Sequence, residues 1–509
     1  MPRSAPSPPP STAKPTPPAT RSRSPVSATD AHTEQDHHNP PRRRRPGVIL
    51  AIVLLCQLMI GLDVTIVNIA LPDIRADLHF SATGLAWVFN AYTLAFGGLL
   101  LLGGRAGDIL GRRAAFVGGV VVFTLASLAA GLAANAAWLI IARVVQGLGG
   151  AFASPSVLAL IATNFDEGPR RNRALGLFAA MFSASLATGL ILGGILTQYA
   201  NWRWVFFINV PIGLVIAALA PLFIGETPRR PGRFDTFGAV LATTGVGGLV
   251  YGFIRASTNG WSDPQTLTSC AAGAVLVALF VGNESRAAQP ILPLRLFAQR
   301  NRAGAYVNML LVPTTLFDVI YFVTQFLRDI RDYSPVRTGL AFLPLTLAVF
   351  ATVRAVPRLV QRFGTKPVMI AGALLATAAM LRLAQLHPDS NYAAAVLGPL
   401  VLAGIGVGLT TVPLTITILA GVAPQDAGAA SGVLQTMQWI GGGALGFAVL
   451  VTAYGTAVRG AGDGASGGNL PPDVQTHGIA TAFATGAGFT ALALLIALVV
   501  IRTVTPAPR

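Results

Sequence analysis

Gly104-Arg-Ala-Gly-Asp-Ile-Leu-Gly-Arg-Arg113 is a short charged stretch between two apolar runs, each long enough to cross a membrane. A tight reversal between two membrane helices needs glycine where the backbone must bend or approach a neighbour, and Gly104, Gly107 and Gly111 supply it. Arg105, Arg112 and Arg113 predict that the turn stays on the cytoplasmic side. Asp108, a lone acid among three arginines, can pair with one of them or sit at a helix N-terminus, where the dipole favours negative charge. Such a contact can be made and broken, so the stretch reads as a conformational hinge.

The rest of the chain has the composition that such a hinge requires. Its 509 residues are 53% apolar and 11% charged, with mean hydropathy +0.62, which is too hydrophobic for a soluble protein of this length. The formal charge of +16 does not gather on a candidate soluble surface, so nucleic acid is excluded as a partner and the lipid bilayer takes its place. Cys56 and Cys270 lie in or beside apolar runs and offer neither a disulfide framework nor a metal-ligand spacing.

Residues 1–46 form a Pro-, Ser-, Thr- and Arg-rich tail, expected to be disordered and cytoplasmic, ending at Arg42–Arg45. Within it, His32, Glu34, Asp36, His37 and His38 make a small polar cluster that reads as solvated tail rather than a metal site. The apolar stretch after the tail is long enough to span and lacks a cleavage site, so it is read as a retained first span and not a secretory signal. Marking apolar runs of about 20 residues predicts fourteen membrane helices. Lys and Arg concentrate in the tail and in every second loop, which places both termini in the cytoplasm.

Arg358-Leu-Val-Gln-Arg-Phe-Gly-Thr-Lys366 reads as a degraded copy of the hinge, with Gly364 in the place of Gly111, Lys366 in that of Arg113, and Gln361 replacing the acid. The repeat divides the chain into the tail 1–46, a six-helix half over 47–225, a two-span insert over 226–290, a second six-helix half over 291–502, and a cytoplasmic tail over 503–509. A binding site between rocking halves is the expected use of such a repeat. The Gly- and Pro-rich segment 457–479 is the one long external loop.

The hinge resembles the loop between the second and third spans of the major facilitator superfamily, where Gly104, Asp108, Gly111, Arg112 and Arg113 match and Ala106 and Ile109 depart from the commonest residues. Leu62-Asp-Val-Thr-Ile-Val-Asn-Ile-Ala-Leu-Pro72 is similar to the first-span motif of the fourteen-span drug:proton antiporters, the EmrB/QacA-like branch. Trp87, Asn90, Tyr92 and the stretch Trp202 to Gly213 fit the same branch. Arg143-Val-Val-Gln-Gly-Leu-Gly-Gly150 matches the fourth-span motif, and Ser185 to Gly194 the antiporter motif of the fifth span, through Gly189, Gly193 and Gly194. Leu190 stands there in place of the usual proline.

The resemblance implies an all-α, polytopic major facilitator fold, not an enzyme, without a cofactor and driven by the proton gradient. It would act as a monomer in the bacterial inner membrane and export small amphipathic drug-like molecules. A dedicated exporter of one endogenous antibiotic is the alternative reading; an importer or a membrane receptor fits less well.

Asp63 and Arg143 carry the chemistry. A charged residue in a span is costly, so Asp63 is expected to face a wet cavity or a partner, with Thr65 or Asn68 as purely structural partners. The resemblance implicates Arg143 in proton coupling, and depth along their helices places both side chains in one layer. Asp318, in the ninth span, is the repeat's counterpart of Asp63 and is expected to approach the same cavity. The resemblance further places Asp108 against the start of the thirteenth span, near Asp426 and Ala427, in the outward-open state.

Overall fold

The computed structural model describes residues 46–81, 84–165, 168–226, 235–287, 290–422, 426–460 and 470–502. The N-terminal tail with its histidine cluster and the last residues, 503–509, lie outside the described residues.

The described chain is helical, as a bilayer demands, because only helices or closed barrels satisfy every backbone group in hydrocarbon. The first set of helices is α1 (Pro46–Leu78), α2 (Ala86–Leu110), α3 (Arg112–Gly131), α4 (Ala136–Asn164), α5 (Pro169–Tyr199), the short α6 (Trp204–Phe207) and α7 (Asn209–Phe223). Two further helices, α8 (Thr236–Asn259) and α9 (Pro264–Glu284), pack on each other, and α8 also lies against α2. The second set is α10 (Arg300–Leu311), α11 (Thr314–Gln325), α12 (Pro335–Ala341), α13 (Leu343–Phe363), α14 (Thr365–Leu383), α15 (Leu397–Leu419), α16 (Ala427–Met437), α17 (Gly446–Gly460) and α18 (Pro472–Val499). A π-helical turn over Phe326–Ile330 prolongs α11, and another over Gln438–Leu445 joins α16 to α17.

Thirteen helical segments among the described residues are long and apolar enough to cross a membrane, one fewer than the sequence predicts. The difference is the fifth span. Its helix α5 runs 31 residues, Pro169–Tyr199, and carries no charged residue from Ala174 onward, but only Ala184–Tyr199 of its apolar part is an unbroken run of described residues. The helices turn apolar side chains outward, with Leu125, Ile141 and Leu347 each at least 60% exposed, which is the inverse of a soluble protein's surface.

Two boundaries differ from the sequence reading. The first helix runs past its apolar stretch, which ends near Leu71, to Leu78, where Trp202 Nε1 and Arg203 Nη1 bond Asp77 at 3.0 and 2.7 Å and hold the last turn in place. The external loop expected over 457–479 is shorter, since α17 runs to Gly460 and α18 begins at Pro472; residues 461–469 lie outside the described residues.

The repeat is visible in the backbone. Gly111 is the single residue between α2 and α3, and Gly364 the single residue between α13 and α14; both have positive φ, +103° and +83°. Eight residues on, Gly119 of α3 meets Gly149 of α4, where a Cβ on Gly119 would stand 2.7 Å from the Gly149 carbonyl oxygen. Gly372 of α14 and Gly406 of α15 repeat that contact at 2.8 Å, and 372 − 119 equals 364 − 111, or 253 residues. Without a hydrophobic drive between helices in lipid, such backbone-to-backbone approach supplies the packing.

Within the hinge only Gly111 needs to be glycine for its conformation. Gly104 and Gly107 lie inside α2 in ordinary contact distance of Pro155 and Ser156, while the unremarked Gly103 is the position packed against the backbone of α4 at Ala151.

Replacing either turn glycine by alanine forces a side chain into a left-handed backbone, at a cost of roughly 1–2 kcal/mol. Gly111→Ala should cost more, because its Cβ meets the Glu226 carboxylate and dislodges it from Arg113, whereas nothing lies within 4 Å at Gly364. Thermal unfolding of the detergent-solubilised variants is expected to rank Gly111→Ala below Gly364→Ala; the opposite order would refute the packing argument.

Candidate functional site

Asp63 occupies the middle of α1, and Arg143 sits two turns into α4, whose start is fixed by Asn135 accepting a bond from Trp138 N at 2.9 Å. Both side chains are fully buried. Arg143 Nη1 donates to Asp63 Oδ2 at 2.6 Å and to Gln146 Oε1 at 2.7 Å, and its Nε donates to the Val88 carbonyl of α2 at 2.9 Å. Gln146 Nε2 donates in turn to Asp63 Oδ1 at 2.7 Å and to Ser127 Oγ of α3 at 2.7 Å. Asn209 Nδ2 of α7 reaches Asp63 Oδ1 at 2.9 Å. The guanidinium lies 4.3 Å from the Tyr92 ring centroid, a cation–π contact in a desolvated place.

One carboxylate thus collects three donors from two other helices, and five helices meet at one neutral network. Arg143 is the partner that the sequence places beside Asp63. Gln146 and Asn209 are additions that the sequence reading passed over, although Gln146 lies one helical turn from Arg143. Thr65 and Asn68, the structural alternatives, instead bond backbone carbonyls, those of α1 and, for Thr65, also that of Ser185 in α5. Of the two expectations for Asp63, a wet cavity or a partner, the described residues supply the partner: the carboxylate is fully buried and both of its oxygens accept hydrogen bonds. Tyr92 Oη, Arg143 Nη2 and Asn209 Oδ1 are buried at the edge of the network without a hydrogen-bond partner and keep donor and acceptor capacity in reserve.

Asp318 does not join this network. It lies on α11, fully buried, with neither carboxylate oxygen hydrogen-bonded, so Tyr321 and Thr314 are not its partners. Its close neighbour is Gly486 of α18, where a Cβ would stand 2.8 Å from Oδ2. The sequence expectation of two carboxylates facing one cavity is therefore replaced by one paired acid in the first set and one solitary acid in the second, because α11 turns Asp318 toward α18.

The three α5 glycines line two contacts. Gly189 and Gly193 let α5 lie along α1, since a Cβ on Gly193 would stand 2.7 Å from the Ile66 carbonyl oxygen, and a Cβ on Gly194 would stand 2.6 Å from the Pro335 carbonyl oxygen of α12. The helix passes unbroken through Leu190, which is buried.

At the hinge end, Asp108 pairs with Arg112 at 3.2 Å, one turn along the same stretch, while Arg113 pairs with Glu226 beyond α7 at 3.2 Å. Arg112 also donates to the Ala159 carbonyl of α4. Among the described residues Asp108 pairs with Arg112, and Asp426, at the start of α16 where its contact is expected, pairs with Arg295 at 2.5 Å. The opposite, distal end explains why. There Asp73 pairs with Arg328 at 2.6 Å and Arg75 with Asp329 at 3.2 Å, joining α1 to the π turn after α11, and Gln198 Oε1 accepts from Val336 N at 3.1 Å. The two helix sets are latched at the distal end, whereas the expected Asp108 contact belongs to a state open there.

A Major Facilitator Superfamily profile matches residues 53–446. The chain belongs to the Major Facilitator Superfamily. It is a multi-pass membrane protein of a family that carries small molecules. It is 40% identical over 481 residues to the puromycin resistance protein of Streptomyces alboniger, covering 92% of this chain and 93% of that one. It is also 40% identical over 417 residues to the cephamycin export protein of Amycolatopsis lactamdurans, covering 81% and 86%. A bacterial homolog of the human lysosomal transporter Spinster, inward-facing and unoccupied, superposes with a TM-score of 0.64 at 17% identity over 91% of this chain and 99% of that one. This likeness bears on the fold alone.

Asp63→Asn leaves the fully buried Arg143 guanidinium without its counter-charge, and breaking a buried pair in this way costs about 3–5 kcal/mol. Asp63→Asn is expected to lower the melting temperature and the yield of monodisperse protein sharply, and Asp63→Asn combined with Arg143→Gln to recover much of the loss. A single variant that melts like the parent would show that the pair carries no structural load.

Proposed function

We propose that this protein is a proton-coupled antiporter that exports small amphipathic antibiotic or drug-like molecules across the bacterial plasma membrane, with the hinge end and both termini in the cytoplasm. The observation that carries the reading is the near full-length likeness to a resistance protein and an export protein, on a fold whose two helix sets are joined at the distal end by ion pairs that can break. Arg and Lys at the hinge end support the orientation. Energy comes from the proton gradient, which a buried acid can couple to conformation because its charge decides whether it tolerates an apolar site. The protein works as a monomer, its substrate entering between the helix sets from the cytoplasmic side.

A narrower reading also has support: both relatives are named for a single antibiotic, which favours a dedicated exporter of one compound. Drug susceptibility and dye efflux in an efflux-deficient host, with and without a proton uncoupler, separate the possibilities. Resistance to several unrelated amphiphiles, lost with the uncoupler, is expected of a broad pump; resistance to one compound alone identifies the dedicated form. Efflux indifferent to the uncoupler would overturn the coupling.

The hinge has its own test. The Asp108–Arg112 pair is partly exposed, 35% at Asp108 and 24% at Arg112, so its loss should cost the fold under about 1 kcal/mol. If Asp108 exchanges Arg112 for the start of α16 during the cycle, Asp108→Asn will lower efflux severely while leaving the amount of protein in the membrane and its melting unchanged. Normal efflux would reduce the stretch to a topology anchor.

A further inference from the structure

Two acids lie deep in this bundle, and they differ in what surrounds them. Asp63 receives three donors and stands in a neutral network. Asp318 receives none. An ionised carboxylate buried without a donor or counter-charge is far more costly than a neutral one, so in this arrangement Asp318 holds its proton. The surroundings offer no substitute for it. On α11 the neighbouring titratable side chain is Tyr321; Asp63 on α1 is bound to Arg143, and Tyr306 on α10 to the Ala430 carbonyl. α17 brings Tyr454, α18 brings His477 near its start, and α15 and the π turn after α16 carry no charged residue. None of these bonds the Asp318 carboxyl.

The same helix carries the latch. Arg328 and Asp329, ten and eleven residues beyond Asp318, lie in the π turn that prolongs α11 and form the two distal ion pairs with Asp73 and Arg75 of α1. At 1.5 Å per residue the two features are about 15 Å apart on one continuous helix. A π turn at such a place is a common mark of a functional site.

We infer that Asp318 is the site that takes up and releases the transported proton, and that the distal latch is shut when Asp318 is protonated and opens when it is ionised, Asp63 remaining a fixed ion pair. The inference rests on the proton-coupled reading above and names the group that does the coupling. On release, the carboxyl O–H bond breaks, the proton passes to water on the cytoplasmic side, and the negative charge remains on Asp318. That charge cannot stay packed on Gly486, so α11 shifts to bring it to water or a donor and draws Arg328 and Asp329 out of their pairs. Uptake from the external side reverses the movement. Proton and substrate thereby bias the latch in opposite directions, which is the linkage that antiport requires.

The latch can be read without knowing the substrate. In full-length protein with Cys56 and Cys270 replaced by serine, Gln198→Cys and Val336→Cys place a thiol on each side of the distal contact, and a short thiol-reactive cross-linker reports how often it is shut. The reagent is applied for a fixed reacted fraction at each pH, so that thiol reactivity is normalised against a single-cysteine control. Cross-linking is expected to fall as pH rises from about pH 5 to about pH 9, to stay high and lose its pH dependence in Asp318→Asn, and to regain it in Asp318→Glu. A pH-dependent latch in Asp318→Asn, or a pH-independent latch in the parent, overturns the assignment. Asp318→Asn should also lose uphill efflux driven by a pH gradient in proteoliposomes while keeping downhill exchange of dye. Parent protein that shows no gradient-driven efflux would instead refute proton coupling itself, whatever the cross-linking shows.

Discussion

The fold depends on how it accommodates a charge where charge is least welcome. Asp63 and Arg143 are buried in the first helix set, and neither could be held alone in an apolar bundle. Their pairing at 2.6 Å is not sufficient, because each has further hydrogen-bonding groups to satisfy, and these are met by Gln146, Asn209, Ser127 and the Val88 carbonyl. The requirement draws α1, α2, α3, α4 and α7 to one point and fixes their register. The network is neutral as a whole, so it can move as a rigid body without exchanging charge with its surroundings.

Around that point the helices come together through absence of side chains more than through apolar interlocking. Gly119 on Gly149 and Gly372 on Gly406 bring backbones into contact at matching places in the two sets, and Gly189 and Gly193 do the same between α5 and α1. Contacts of this kind are van der Waals in origin and give rigid helix pairs. Polar pairs hold the ends: Arg113 to Glu226 and Arg295 to Asp426 work within one set each, while Asp73 to Arg328 and Arg75 to Asp329 cross between sets. The distal crossing pairs have side chains between 11% and 39% exposed, wet enough to break without the penalty of a fully buried pair.

The repeat has therefore kept its scaffold and altered its charges. Gly111 and Gly364 make the same one-residue reversal, yet Asp108 has no acidic counterpart at Gln361, and the solitary Asp318 corresponds to a paired Asp63. One half carries a settled charge and the other an unsettled one. In the proposed cycle, that asymmetry is what lets protonation bias the relation between two otherwise similar bodies.

The amino-acid sequence by itself determined the helical membrane fold, the glycine reversals and the repeat, because lipid leaves the backbone few choices and positive φ leaves the side chain almost none. It also picked out Asp63 and Arg143, since charges inside apolar runs are rare enough to stand out. Only the tertiary structure decided their company. Gln146 and Asn209 lie 83 and 146 residues from Asp63 and look like ordinary amides until the helices are placed. Asp73 and Arg328, 255 residues apart, read as loop charges in isolation. The helix end at Leu78 was equally hidden, because the apolar run ends near Leu71 and the contacts that hold the last turn come from Trp202 and Arg203. That Asp318 stands alone could be known only by finding every neighbour and seeing that none of them bonds it: a sequence shows which groups can pair, and packing decides which of them meet.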